Sequence, residues 1–212
     1  MKENTFGLGC TPSIIDGSEY KFDLVKGWKI PEEYSFKDQM PPILNQGSTN
    51  MCIAYSISSH LDWNLNMDTG NQGQDNHIDR NEIYSARTTP GDRGMTFKEA
   101  FSFIRDVGVD TDLGKVGLDY YAKLDDIEEL KQALIVNGPC VGGMLCYNHG
   151  DHFWIKKPRE QSLGGHAISI VGYTKDGFII RNSWGKSWAD GGYSILKYKD
   201  FDLMFEIWTI VD

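Results

Sequence analysis

The chain reads as an α+β fold whose helices come first and whose strands come second. Two observations carry this. Between residues 52 and 134, apolar residues recur at helical spacing in successive stretches. From Cys140 onward the period shortens to that of strands, with turn signals such as Lys175-Asp176-Gly177 between them. Elements segregated in this way, rather than alternating, point to separate helical and β lobes and away from a parallel sheet.

Taken in order, residues 1 to about 29 form a turn-rich lead-in with scattered apolar residues (Phe6, Leu8, Ile14, Ile15, Tyr20, Phe22, Leu24, Trp28), too sparse for a core of their own. Ile30-Pro31 and Met40-Pro41-Pro42 predict extended chain. A helix opens at Cys52 and runs to about Leu65, followed by a polar loop over Asn66 to Asn76. Asp79 to Ala86 predicts a short helix, and Thr88 to Gly94 a turn cluster. Phe97, Ala100, Phe101 and Ile104 mark a third helix stopped at Gly108, and Ile127, Leu130, Ala133 and Leu134 a fourth, closed by Asn137-Gly138-Pro139. Strands are expected over 141–145, 167–173, 178–181, 193–198 and 206–211.

At 212 residues the chain is long enough for one domain or two packed lobes. Its 21 basic and 30 acidic residues leave a net charge of −9, which disfavours nucleic acid and anionic membrane as partners. Met1 to Gly7 lacks the apolar centre of a signal peptide, and no apolar run approaches membrane-spanning length. The four cysteines (Cys10, Cys52, Cys140, Cys146) are few for a disulfide scaffold and show no CxxC pair. A reducing, cytoplasm-like compartment is expected, in a cellular or viral source.

Asn45-Gln46-Gly47-Ser48 leads into Cys52, which stands in the first turn of its helix. Unpaired N–H groups and the helix dipole favour a thiolate there. Gln46, six residues earlier, offers an amide donor that can reach back toward whatever Cys52 attacks. Two later blocks supply a base and its holder. Gly164-Gly165-His166-Ala167 puts a histidine at the start of an apolar strand. Arg181-Asn182-Ser183-Trp184-Gly185 begins one turn later, across Lys175-Asp176-Gly177. Pairing of the two strands as a hairpin brings His166 and Asn182 to the same end, with Trp184 placed to cover their hydrogen bond.

These three blocks, in this order, resemble the papain-like cysteine peptidases, over roughly residues 30 to 212. The resemblance implies a papain-like two-lobed fold, an N-terminal helical lobe (about 45–136) and a C-terminal antiparallel β-barrel-like lobe (about 137–212 with 30–44), with the site in the cleft. It implies Cys52 as nucleophile, His166 as its base and later acid, Asn182 as the residue orienting the ring, and Gln46 with the Cys52 N–H as oxyanion hole. Asn50, Met51, Gly94, Met95, Ala167 and Trp184 are the expected substrate contacts; Leu203 and Met204 are further pocket-wall candidates. No cofactor or metal is implied, and the partner is a peptide or protein substrate, with an apolar side chain near the cut.

The chain departs from the family where Thr49 replaces a disulfide cysteine, where Ile53 replaces Trp or Tyr, and where Asn50 and Met51 replace small residues beside the nucleophile. His166 follows Cys52 by 114 residues, fewer than the family's usual ~130–150, so the loops between are trimmed. Residues 1–29 stand where a longer inhibitory segment is usual; a short latch, a structural strap and a segment without function are the open readings. His60, His77, His149 and His152 show no partner pattern and read as ordinary structural histidines. Cys146, His149, Asp151 and His152 are closely spaced but lack the second ligand pair that a zinc site wants. Four rivals stay open: an isopeptidase or leader-processing peptidase, an acyltransferase, a binding protein on the same fold, and an enzyme held latent by its N-terminal segment.

Overall fold

The structure, a computed structural model, describes residues 6–88 and 91–211. Of the sequence readings above, residues 1–5 of the lead-in and Thr89-Pro90 of the turn cluster lie outside the described residues.

In the lead-in, Tyr20–Lys21 forms a short strand, β1; just after it, Tyr34–Ser35 forms a second, β2. Helix α1 spans Cys52–Thr69 and stops at Gly70, whose φ of 74° sits in the left-handed region where glycine carries no Cβ penalty. It outruns the expected end at Leu65 because Asn66 is not a loop residue. Its side chain is buried, donating to the Gln74 carbonyl and accepting from Asn76. Helices α2 (Arg80–Ser85) and α3 (Phe97–Asp106) follow. Asp79 caps α2, and Thr96 with Glu99 forms a capping box on α3. A hairpin of β3 (Val109–Thr111) and β4 (Gly114–Val116) and the strand β5 (Tyr120–Lys123) come next. These short segments, few of whose residues are buried, lack the apolar alternation that would have revealed them. Helix α4 (Ile127–Asn137) leads into β6 (Cys140–Cys146), β7 (Gly164–Thr174), β8 (Gly177–Arg181), β9 (Tyr193–Lys197) and β10 (Met204–Val211).

The long sheet runs β1-β5-β10-β6-β7-β8-β9, with β2 paired beside β7. All pairs are antiparallel except β1 with β5. Among the described residues β9 does not pair back to β1, so the sheet stays open. Helix α1 lies against β7, whose Ser169 hydroxyl donates to the Ser56 carbonyl. The hairpin expected across Lys175-Asp176 forms, with Ser169 opposite Arg181 and a register shift between Ile170 and Gly172. This juxtaposition of the start of α1 with the start of β7 sets the site.

The lead-in does not float. Gln132 of α4 exchanges two hydrogen bonds with the Val25 backbone, at 2.9 and 3.0 Å. Glu19 takes an ion pair from Lys98 of α3. Earlier still, residues 6–12 run between the two lobes.

Candidate active site

Cys52 is the first residue of α1, preceded by Met51 with no side-chain cap, so the first-turn N–H groups are left unclaimed by any capping side chain. His166 is the third residue of β7, opposite Met144 of β6. Its Nε2 lies 2.8 Å from Asn182 Oδ1, an oxygen that only accepts, so Nε2 carries the proton and Nδ1 holds the free lone pair. Nδ1 makes no hydrogen bond. Asn182 Oδ1 also accepts from the Ser183 N–H at 2.8 Å, which fixes the amide. The Trp184 indole lies nearly flat on the His166 ring, centroids 4.5 Å apart, and Phe153 meets that ring edge-on at 5.2 Å. The expected cover over the His–Asn bond is therefore present, and Phe153 is an addition that sequence spacing did not reveal.

Gln46 is held from both ends. Its backbone N–H donates to the Ser183 carbonyl at 2.8 Å, and its Oε1 accepts from the Ser183 hydroxyl at 2.5 Å. That leaves Nε2 to donate to the Thr49 carbonyl at 2.8 Å and to the Gly7 carbonyl at 3.1 Å. Thr49, in the place of the family cysteine, closes the same turn with its hydroxyl on the Gln46 carbonyl at 2.8 Å.

The Gly7 contact belongs to a longer feature. Gly7 N–H donates to the Gly47 carbonyl at 2.8 Å, and both Gly9 and Cys10 donate to the Gly165 carbonyl at 3.0 Å. Met95 N–H donates to Gly9 O and Met95 O accepts from Thr11 N–H, each at 2.9 Å, in a parallel bridge. Residues 6–12 thus thread the cleft. Two glycines permit it: a Cβ on Gly7 would stand 1.8 Å from the Thr49 carbonyl oxygen, and one on Gly9 2.2 Å from that of Asn50. The alternation Phe6-Gly7-Leu8-Gly9-Cys10 was the available sequence signal.

The candidate substrate contacts divide. Gly94 and Met95 line this threaded segment; a Cβ on Gly94 would meet Gly9 O at 2.0 Å, while the Ala167 backbone N–H is directed at Cys52. Trp184 stacks on Phe6, centroids 4.9 Å apart. The Asn50 side chain turns away to Asp92 O, and Met51 is packed into the helical-lobe core. Leu203 is half exposed, while Met204 is buried with its sulfur beside Gly142.

Cover by residues 6–12 leaves Cys52 and His166 with no exposed surface. Burial pushes the Cys52 thiol up to about 12, against the pull of the Ala167, Ile53, Cys52 and Cys10 backbone N–H groups. Burial likewise pulls His166 down to about 4, opposed by its bond to Asn182. Here the structure departs from the thiolate expected at a helix start: desolvation outweighs the helix N-terminus while the cleft is filled, and both groups are neutral.

Residues 115–204 match the sequence model of the papain family cysteine proteases, a stretch that includes His166 and Asn182 but not Cys52 or Gln46. An uncharacterized peptidase C1-like protein of Acanthamoeba polyphaga mimivirus is 33% identical over 102 residues, 41% of this chain and 32% of that protein. The chain thus spans about a third of that relative's length. Macrodontain-1 of Ananas macrodontes is 27% identical over 77% of this chain and 87% of its own length. Among solved structures, xylellain, a cysteine protease from Xylella fastidiosa, superposes with a TM-score of 0.83 at 22% identity, covering 97% of this chain and 96% of that one. Procathepsin B S9 from Trypanosoma congolense superposes with a TM-score of 0.78 at 16% identity, covering 97% and 87%. The chain thus has the papain-like fold, and residues 115–204 match the sequence model of the papain family cysteine proteases.

Proposed function

We propose that this chain is a cysteine-type endopeptidase that hydrolyses peptide bonds through Cys52, His166 and Asn182, and that residues 6–12 hold it latent. The observation that carries the reading is the Gln46 amide: fixed by Ser183, it donates 3.1 Å to a peptide carbonyl lying in the cleft, the contact an oxyanion hole makes.

With the cleft open, the Cys52 proton passes to His166 Nδ1 and the sulfur attacks the substrate carbonyl carbon. The carbonyl oxygen takes the charge, stabilised by Gln46 Nε2 and the Cys52 N–H. The His166 proton then goes to the departing amine, leaving a thioester. Water, deprotonated by His166, attacks the thioester and releases the acid, and Cys52 departs as thiolate. Asn182 keeps the ring in the tautomer these transfers need. Free thiols at all four cysteines, and Thr49 where the family carries a disulfide, support action in a reducing compartment such as cytoplasm.

The test is labelling of the intact protein with a peptidyl thiol-reactive probe at neutral pH, using wild type, Cys52→Ala, His166→Ala and Gly7→Ala. Labelling that needs Cys52 and His166 and quickens with Gly7→Ala supports a latent peptidase. Failure of Cys52 to react in any variant would reassign the chain to a binding protein on this fold.

A further inference from the structure

A pocket of about 680 Å³ opens on the β lobe, between the loop after β6 and the end of β9. Lys157 lines it from the loop, Lys197 as the last residue of β9, and Lys199 from the 3-10 turn Tyr198–Leu203 that follows. Asp151, Asp200 and the His152 ring, set edge-on to the buried Trp154 at 5.3 Å, complete the charged wall. Among the described residues the three ammonium groups make neither ion pairs nor hydrogen bonds. Lysines elsewhere are matched: Lys98 by Glu19, Lys115 by Glu82 and Asp110, and Lys123 by Asp125. Three like charges gathered in one concavity repel one another, and an entering anion offsets that repulsion.

The charge here runs against the rest of the chain. The whole carries −9, yet residues 152–199 hold eight basic and three acidic residues, a net of +5, which leaves −14 on the remainder. An acidic segment is therefore repelled over most of the surface and admitted at this place.

One loop joins the pocket to the candidate site. Asn148 and Gly150 line the pocket, while His149 between them meets the Trp184 ring at 5.4 Å, and Trp184 lies on His166. Three hydrogen bonds hold the loop. Tyr147 N–H donates to Phe153 O at 2.9 Å, Gly150 N–H to Asn148 Oδ1 at 3.0 Å, and Trp188 Nε1 to Gly150 O at 3.3 Å. His166 hands its proton to the departing amine, so this flank faces the part of a substrate that follows the cut.

We propose that this pocket is an exosite for an acidic stretch of a protein substrate, C-terminal to the bond that is cut. This rests on the peptidase reading above. Lys157, Lys197 and Lys199 take the carboxylates, and Asp151 and Asp200 accept N–H groups of the same stretch. A phosphodiester backbone offers no such donors, which favours a peptide over a nucleic acid.

Two quenched fluorescent peptide pools test it, sharing a randomised core and ending in a run of Glu or of Gln, with full-length Gly7→Ala as the enzyme so that the cleft is open. At low salt, kcat/KM for the Glu pool is expected to exceed that for the Gln pool roughly tenfold, the order of several exposed ion pairs acting together. The ratio falls toward one in about 1 M salt, where screening shortens to a few ångströms. Lys197→Glu/Lys199→Glu in the same background abolishes it, and Lys197→Arg/Lys199→Arg keeps it. Equal cleavage of both pools, or a ratio unmoved by the charge reversal, overturns the exosite alone. No cleavage of either pool overturns the peptidase reading. Fluorescence anisotropy of the labelled Glu tail then tests the pocket by itself: saturable binding lost in Lys197→Glu/Lys199→Glu upholds an acidic-peptide site, and no binding overturns it. Tighter binding of a single-stranded oligonucleotide than of the Glu tail would overturn the peptide partner.

Discussion

Gln46 Nε2 donates to the carbonyl of Gly7, so the amide that would steady an oxyanion is already engaged by the chain's own backbone. One side chain thus has opposite duties before and after opening. Replacing Gln46 with Ala is therefore expected to move two measurements apart. Probe labelling of Cys52 in the resting protein should speed up severalfold as a latch bond is lost. Turnover of a peptide substrate should fall by about 10²–10³ in kcat, the usual cost of an oxyanion donor. A fall in both would assign Gln46 to folding instead.

Gly7→Ala tests the threaded segment directly. Its methyl group would meet the Thr49 backbone oxygen, which cannot yield as a side chain can. Expulsion of residues 6–12 should raise the Cys52 labelling rate at least about tenfold, read by intact mass over time, with a fall in melting temperature as Phe6, Leu8 and the buried Cys10 leave their packing.

Opening should respond to pH in a defined window. His166 titrates near 4 when covered and near 6.5 when solvated, so between those values the open form binds more protons. Acidification from 6.5 toward 4 favours opening, by up to about tenfold per pH unit. Cys52 mirrors this: about 12 when covered and near 8.5 when solvated, it favours opening as pH rises above 8.5. Latency is deepest between. Glu206, raised by burial and accepting from the Ser13 N–H at 3.3 Å, opposes opening on the acid side, so Glu206→Gln should steepen the acid response. Hydrogen exchange of residues 7–12, corrected for intrinsic rates, measures this; a pH-independent opening constant would refute it.

Gly138, between α4 and β6, has φ 92°, and a Cβ there would meet the Trp63 ring at 2.2 Å. Gly138→Ala should cost about 2 kcal/mol and lower the melting temperature by roughly 5 °C in thermal unfolding, since both the backbone and the ring must shift.

Much of this was legible in the residues. As candidates, Cys52, His166, Asn182 and Gln46 were legible because each stands at or beside an element boundary with fixed local chemistry: a helix start, the first residues of a strand, a strand end and a tight turn. The long apolar elements were legible for the same reason, since burial imposes their period. What stayed hidden depends on distant partners. Asn66 extends α1 because Gln74 and Asn76 answer its amide, and His149 meets Trp184 only through a loop whose braces are mostly backbone. The Cys52 and His166 ionisation states were misjudged from local context because the covering residues come from 40 or more positions earlier in the chain.

The stitching of the lead-in to the body has a further consequence. β1 is paired to β5 and Val25 is clasped by Gln132, so residues 6–12 that leave the cleft remain leashed beside it. A leashed segment faces its site at an effective concentration on the order of millimolar, whatever the concentration of the protein. Dilution therefore does not activate the chain. A weak substrate must be abundant to enter, and a peptide that binds well below the millimolar range displaces the segment reversibly, with no bond cut.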